Sequence, residues 1–127
     1  VYKRKTITHF MTVVSFENTA TLCSALTTLP NLESAVLWHP QLGRGEVPNF
    51  QFPESMTEFL RAPSLRIVEF LDFCFTSSLC QATAIALRQG SSITSLDLYR
   101  CSFPEGGSEH IASALKENAT LTTFKIL

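Results

Sequence analysis

The sequence has no excess of charge of either sign. Its 10 basic and 11 acidic residues leave a formal net charge of −1. A protein whose main partner is nucleic acid or an anionic membrane usually carries a positive excess that attracts phosphate groups. We therefore expect no nucleic acid and no membrane among its partners. The one basic run, Lys3–Lys5, could form a small phosphate patch, but we interpret it as a solvated chain end.

Long apolar runs and a secretion signal are also missing. No stretch approaches the ~18 apolar residues that a membrane span needs. The N-terminus has no basic region followed by an apolar run and a small-residue cleavage site, and it has no starting Met. The chain begins at Val1 and stops at Leu127 within an apolar alternation. Both ends look cut, so we expect a fragment of a longer protein.

The cysteines lack the spacing of a metal site. None of the four forms a C-x-x-C pair, and no histidine lies at zinc-finger spacing from one. Each lies among apolar residues, which favours small buried thiols in a reducing compartment, and hence a cytoplasmic protein. A disulfide between Cys74 and Cys80 is the alternative, since sequence does not establish disulfide geometry.

Catalytic motifs are missing as well. The sequence contains no G-x-x-x-x-G-K-[ST], no G-x-S-x-G and no H-E-x-x-H. The three histidines, His9, His39 and His110, lie far apart in sequence, so they are better interpreted as surface or loop side chains than as ligands or bases. We expect no enzymatic activity, no cofactor, no metal and no small-molecule substrate.

What the sequence does contain is a pattern that recurs. Apolar residues fall at offsets 0, 3, 5, 8 and 10 of two segments, one starting at position 65 and the other at position 93. In the first segment they are Leu65, Val68, Phe70, Phe73 and Phe75. In the second they are Ile93, Leu96, Leu98, Cys101 and Phe103. Recurrence at such a period is typical of stacked repeat proteins.

The same pattern extends in both directions. A third start follows at Leu121, and the step from Ile93 to Leu121 equals the step from Leu65 to Ile93. An earlier start lies at Leu32. The step from Leu32 to Leu65 is longer by five positions, and this surplus fits a longer loop at 43–53. The first strand should lie in 6–16, where two registers remain open. One puts Ile7, Phe10 and Thr12 inside, and the other puts Met11, Val14 and Phe16 inside.

Helical segments lie between these starts. Residues 83–87 align with 111–115, and each segment ends six positions before the next start, as do residues 22–26. Their Ala and Leu content favours short helices, whereas the segments at each start are typical of strands. Ser55 and Glu58 have the spacing of a capping box, which predicts a helix beginning near Met56 and ending by Ala62, before Pro63.

This pattern resembles the leucine-rich repeat, L-x-x-L-x-L-x-x-N/C-x-L, and its period resembles the ribonuclease-inhibitor-like subclass. Residues 93–120 match best, with Cys101 at the Asn/Cys position, Gly107 at the loop glycine and Asn118 where the helix ends. Asn tolerates the left-handed backbone expected at that helix end. Residues 118–120 also match an N-glycosylation acceptor, but we prefer the structural interpretation of Asn118. Other segments differ from the consensus. Phe73 and Pro40 stand at the Asn/Cys position of their segments, and Leu79 stands where the consensus has the loop glycine.

The resemblance implies an α/β fold. Specifically, it implies a right-handed α/β solenoid, a horseshoe segment with a parallel concave sheet and convex helices. Residues 1–127 would form a single segment with strand starts near 7, 32, 65, 93 and 121.

In such a fold, strand side chains that do not enter the core line the concave face. Two rows result. One row is Trp38, Leu71, Tyr99 and Leu127, and the other is Val36, Glu69, Asp97 and Lys125. An exposed aromatic row often marks a contact site, although these side chains could instead pack on one another and stabilise the sheet. The predicted partner-binding residues are Trp38, Leu71, Tyr99, Glu69, Asp97 and Lys125.

The sequence therefore predicts a protein–protein interaction module that binds a protein partner through the concave sheet. The family includes inhibitors, receptor sensor domains and substrate-recruiting subunits, so the resemblance implies binding without naming a partner. Two alternatives remain open. The chain could activate a small GTPase, with Arg100 as the candidate residue, or it could be a structural spacer.

Overall fold

One parallel sheet, with a helix between each pair of strands, organises the chain. The computed structural model describes residues 7–15, 17–39 and 52–126. The strands are β1 His9–Val13, β2 Ser34–Trp38, β3 Ile67–Leu71, β4 Ser95–Tyr99 and β5 Thr123–Ile126. The helices are α1 Thr19–Thr27, α2 Glu54–Leu60, α3 Ser77–Arg88 and α4 Gly107–Glu117. These ranges thus form an α/β fold with five strands and four helices.

The strands lie in the sheet in the order in which they occur in the chain. Each pairs in parallel with the next, from β1 to β5. Parallel neighbours need a crossover connection, which the intervening helices provide. The pairing sets Ser34 opposite Ile67, Ile67 opposite Ser95, and Ser95 opposite Thr123. Equivalent offsets of successive segments are therefore side by side.

The core lies between one face of the sheet and the four helices. Strand residues alternate in burial, as in β4, where Leu96 and Leu98 are buried and their neighbours are not. The buried strand residues form a single cluster with the buried residues of all four helices. The helices therefore cover one face of the sheet, and the opposite face is left at least partly exposed.

The apolar residues at the five offsets of the segment starting at Leu65 all lie in this core. Leu65, Val68, Phe70, Phe73 and Phe75 are completely buried. The rings of Phe70 and Phe73 meet edge to face at 4.9 Å, and those of Phe70 and Phe75 at 5.3 Å. In the segment starting at Ile93 the first three offsets are buried, but Cys101 and Phe103 are only half-buried.

The structure decides the register of the first strand. Phe10 pairs with Ala35 and Thr12 with Leu37, so both lie on the core side, with Ile7 before them. Met11 lies on the other face and is 71% exposed. Val14, which the other register placed inside, is also buried, although it lies just after the end of β1. Phe16 lies outside the described residues.

The prediction of a capping box at Ser55 is wrong. Helix α2 begins at Glu54, two residues before the predicted start at Met56, with Pro53 in the cap position, and no side-chain cap hydrogen bond forms among the described residues. Ser55 lies inside the helix, where its hydroxyl is buried and has no hydrogen-bond partner among the described residues. The helix still ends at Leu60, before Pro63. A side-chain cap occurs instead on α3, where the Thr76 hydroxyl accepts a hydrogen bond from the Leu79 amide at 3.2 Å.

Some predicted features lie outside the described ranges. These are Pro40, Leu42, most of the loop at 43–53, and Leu127. Within those ranges no helix combines the length and the apolar character that crossing a membrane requires.

Candidate functional site

The aromatic row predicted from the sequence lies on the exposed face of the sheet. Trp38 is paired with Leu71, and Leu71 with Tyr99, so the three side chains are neighbours on adjacent strands. Trp38 is 42% and Tyr99 43% exposed, with Leu71 half-buried between them. Val13 of β1 extends the row beyond Trp38. The predicted fourth member, Leu127, lies outside the described residues.

The second row lies two positions earlier on the same face. The register sets Val36 opposite Glu69, Glu69 opposite Asp97, and Asp97 opposite Lys125. Met11 precedes Val36 in this row. The sequence did not assign Met11 to it, because the register of β1 was open. The structure thus brings together all the predicted binding residues within its described ranges.

The two carboxylates of the second row form no ion pair with any cationic side chain in the described part of the chain. The ion pairs among the described residues join Arg88 to Glu117 and Arg100 to Asp72, so neither Lys125 nor Arg100 neutralises Glu69 or Asp97. The Asp97 Oδ1 atom is shielded from solvent and accepts no hydrogen bond within these ranges. A shielded carboxylate oxygen without a donor is unfavourable. A cationic group brought to this carboxylate would therefore be attracted.

Asp72 joins the aromatic row to Arg100, which the sequence did not indicate. The Trp38 indole Nε1 donates a hydrogen bond to Asp72 Oδ2 at 2.9 Å. The Arg100 guanidinium donates to both carboxylate oxygens, from Nε to Oδ1 at 2.9 Å and from Nη2 to Oδ2 at 3.2 Å. Arg100 also lies over the Tyr99 ring, 5.4 Å from its centroid. We call these four residues the Asp72 cluster.

The Asp72 cluster depends on an uncommon backbone conformation. Asp72 follows β3 and Arg100 follows β4, and both have a left-handed backbone with φ of 60° and 53°. Non-glycine residues seldom adopt this conformation. It turns the chain after each strand, and the two side chains meet across the strand ends. The signal that could have indicated this contact is the shared offset of Asp72 and Arg100. Each is the residue directly after the strand of its segment.

Hydrogen bonding shifts the titration of this cluster. The hydrogen bond from Arg100 is the main reason that the pKa of Asp72 lies below its usual value, and the bond from Trp38 acts in the same direction. The same pairing raises the pKa of Arg100. The carboxylate is therefore ionised at neutral pH, and the indole and the guanidinium are held by it. Two guanidinium nitrogens of Arg100, the candidate residue for GTPase activation, are hydrogen-bonded to Asp72.

The cysteines are free thiols, so the alternative of a Cys74–Cys80 disulfide is wrong. Burial raises the pKa of Cys23, Cys80 and Cys101 to about 11 in each case. The Cys101 thiol donates to the Phe70 carbonyl of the preceding strand at 3.3 Å. Among the described residues no group of His, Cys, Asp and Glu could hold a metal ion.

Asn118 bridges two successive segments through its side chain. Its Nδ2 donates to the Leu87 carbonyl at the end of α3 at 2.7 Å. Its Oδ1 accepts from the amides of Thr120 and Leu121 at 3.0 and 2.7 Å. Its backbone is extended, so the prediction of a left-handed conformation is wrong. The side chain, and not the backbone, explains why asparagine stands there.

The histidines do not converge on a site. His39 Nδ1 lies 2.8 Å from the Val14 carbonyl, and the ring packs against Phe73 at 5.4 Å. His9 lies on β1 and His110 on α4, both exposed.

The chain matches no protein-family model and no curated protein sequence.

Proposed function

We propose that the chain is a segment of a leucine-rich-repeat solenoid, of the ribonuclease-inhibitor-like kind, that binds a protein partner through the exposed face of its sheet. Three observations support the architecture. The strands follow chain order in parallel, the helices cover one face, and apolar residues at matching offsets are buried. The Cys101 thiol also donates to the preceding strand, as expected at the Asn/Cys position. The four free thiols fit a reducing, cytoplasmic setting.

One observation supports the binding role above the others. The side chains of Trp38 and Tyr99 are exposed on the same row, and the Trp38 indole is held by a hydrogen bond to Asp72. A side chain that is already fixed loses little rotational freedom on binding, so more of its contact energy appears as affinity. Large aromatic side chains are also the residues on which interfaces most often depend. A structural role alone does not require them to be exposed.

The second row indicates the chemistry of the partner. Glu69 and Asp97 are adjacent, and neither has a cationic partner among the described residues. Charges of this kind speed association with an oppositely charged surface more than they add affinity. We propose a partner that sets an apolar group on the Trp38–Leu71–Tyr99 row and a lysine or arginine beside Glu69 and Asp97. Binding should accordingly weaken as salt concentration rises.

The test compares substitutions on the two faces of the molecule. Trp38→Ala and Tyr99→Ala remove the exposed aromatic groups, and Ile85→Ala removes a side chain of similar exposure, 41%, from helix α3. Partners captured by the wild-type chain are identified and then titrated with each purified variant. We expect Kd to rise by about 30-fold for Trp38→Ala, corresponding to ~2 kcal/mol at an interface hot spot. Ile85→Ala should bind like the wild type.

Folding and charge are controlled separately. The urea midpoint of each variant shows whether the sheet is intact, and Glu69→Gln with Asp97→Asn should slow association while leaving the aromatic contact in place. If Trp38→Ala and Tyr99→Ala stay folded and bind every partner with unchanged affinity, the row does not bind partners. The chain would then be better described as a structural spacer.

A further inference from the structure

The exposed face of the sheet repeats at a fixed spacing across the strands. Trp38, Leu71 and Tyr99 are direct neighbours on β2, β3 and β4, and Val13 continues the row on β1. Adjacent strands lie ~4.8 Å apart, so the row from Val13 to Tyr99 spans about 14 Å. Along one strand, side chains on this face repeat every ~6.6 Å instead. These two spacings determine which regular segment of a partner can contact the whole row.

An α-helix lying across the strands matches the spacing of the row. One helix turn rises about 5.4 Å, so three turns cover about 16 Å. Apolar side chains three or four positions apart lie on the same face of such a helix. The difference in length from the row is about 2 Å over the whole contact, which small changes of side-chain rotamer absorb. A helix thus brings one apolar side chain to each member of the row.

An extended segment matches the row poorly. If it lies across the strands, its side chains on one face repeat every ~6.6 Å, so they are out of step with the row by about 5 Å after three repeats. If it lies along the strands, its side chains follow a single strand, whereas Trp38 and Tyr99 are two strands apart. Peptides that bind as strands gain most from backbone hydrogen bonds at a sheet edge. Strands β2, β3 and β4 are paired on both sides and offer no such edge.

The row has a hollow at its centre. Leu71 is half-buried between Trp38 and Tyr99, which are 42% and 43% exposed. A leucine side chain is smaller than an indole or a phenol ring, so the middle of the row is lower than the rings beside it. Asp72 accepts hydrogen bonds from Trp38 and Arg100, and Arg100 lies over the Tyr99 ring, so contacts within the protein hold both rings. One large apolar side chain at the middle of a partner helix fits this hollow.

The charges on the two sides of the row differ. On one side are Glu69 and Asp97, which form no ion pair within the described ranges. On the other side the charge of Asp72 is already neutralised by Arg100. Lys125 lies opposite Asp97 on β5, so a cationic group of the partner is attracted most strongly near Glu69. The partner helix should therefore carry its lysines or arginines along one side of its apolar face only.

We infer that the exposed face receives an amphipathic α-helix of the protein partner, lying across the strands from β1 to β4. Its apolar side chains contact the row from Val13 to Tyr99, and the middle one enters the hollow at Leu71. Its lysines or arginines lie on the side of Glu69 and Asp97. The helix is the form in which the proposed partner contacts this face, so its assignment rests on the proposed function.

Selection from random peptides tests the form of the partner segment. A displayed library of tryptophan-free peptides about 18 residues long, or five helix turns, is selected on the full chain. Peptides that also bind the Trp38→Ala or the Tyr99→Ala chain are removed, so the selection does not depend on one variant folding. Enriched peptides should have apolar residues that recur three and four positions apart, with lysine or arginine on one side of them. Trp38 is the only tryptophan of the chain, so its emission should shift to shorter wavelength when a synthesised peptide covers it.

Matched controls separate the helix from its composition. Proline at a central polar position of a selected peptide should raise Kd at least ~10-fold, because proline disrupts a helix interior. Alanine at the same position should leave Kd unchanged. In the chain, Ile85→Ala should also leave Kd unchanged, since Ile85 lies on helix α3. Glu69→Gln with Asp97→Asn should weaken binding at low salt and reduce its dependence on salt concentration.

Double-mutant cycles test the direction of the helix. The apolar residue at one end of the peptide is replaced by alanine together with Val13→Ala, and the one at the other end together with Tyr99→Ala. Each peptide residue should couple with one end of the row and not with the other, because residues in contact are not additive and distant ones are.

Three results would overturn the proposal. The first is enrichment of peptides that depend on Trp38 but contain central prolines or alternate apolar and polar residues, since these bind as extended segments. The row would then still bind partners, and the proposed function would stand. The second is coupling of one peptide residue with both Val13 and Tyr99. The third is that no enriched peptide depends on Trp38 or Tyr99, and titration of captured partners then decides separately whether the row binds at all.

Discussion

Two segments of this chain have nearly the same pattern of apolar residues but are packed against different neighbours. In residues 65–92 the five apolar offsets are all completely buried. In residues 93–120 the first three are buried, but Cys101 and Phe103 are half-buried. The first segment lies between two segments that each contribute a strand and a helix, whereas beyond the second the described residues contribute strand β5 and no further helix. The difference shows that burial here is decided by the adjacent segment as much as by the residue itself.

The largest effect on stability should come from replacing the aromatic residue at one offset, in each of the two segments separately. Phe75 and Phe103 stand at the same offset of successive segments and their rings are 4.9 Å from each other, yet only Phe75 is completely buried. We expect Phe75→Ala to lower the free energy of unfolding by ~3–5 kcal/mol, the usual range for a buried aromatic side chain. Phe103→Ala should cost about half as much, because its side chain keeps contact with water in the folded state. Urea denaturation of both variants measures the difference, and equal losses would contradict this account.

A smaller effect should follow from breaking the bridge between the segments. Asn118→Ala removes the donor to the Leu87 carbonyl and the acceptor for two backbone amides. We expect a loss of ~1–3 kcal/mol, since partly buried backbone groups are left unpaired. Asn118→Asp keeps the acceptor and removes only the donor, so its urea midpoint should lie between those of Asn118→Ala and the wild type. An aspartate variant as unstable as the alanine variant would show that the contact to Leu87 dominates.

The smallest effect belongs to the Asp72 cluster and should depend on pH. The pKa of Asp72 is lowered in the folded chain, so the carboxylate stabilises the fold above its usual pKa of 3.8. That contribution is lost as the pH falls through the lowered value, where the folded protein also takes up the proton. At pH 7 we expect Asp72→Asn to be slightly less stable than the wild type, because exposed ion pairs contribute little. The difference in urea midpoint should shrink as the solution is acidified below pH 3.8, and a constant difference would exclude the carboxylate charge as its source.

Much of the fold could be predicted because it depends on spacing. The offsets of apolar residues fix which side chains face the helices, and side chains alternate along a strand. The rows Trp38–Leu71–Tyr99 and Glu69–Asp97–Lys125 followed from aligning the starts at 32, 65, 93 and 121. The register of β1 could not be decided in this way, because both sets of alternate residues there include apolar side chains.

The features that were missed depend on backbone conformation or on distant partners. Asp72 accepts from Trp38 and Arg100, which are 34 and 28 positions away, and both Asp72 and Arg100 have a left-handed backbone at the strand ends where these side chains meet. Ser55 fits a capping motif, but α2 begins at Glu54 with Pro53 as its cap, two residues before Ser55, so the Ser55 side chain lies inside the helix. Asn118 fits a helix end, but its role is to bind the preceding helix. A local sequence motif does not show which residues from distant parts of the chain will be in contact.

The chain order of the sheet has a consequence for how this protein acquires its structure. Each strand pairs with the one before it and the one after it, and each helix packs on the next helix in sequence. Bringing two such neighbours together closes a loop of about one segment, so the entropic cost of each step is modest and changes little along the chain. We expect folding to begin in a well-packed pair such as α3 and α4 and to spread from there to the neighbouring strands and helices. Hydrogen exchange should then be slowest at β3 and β4 and fastest at the outermost strands.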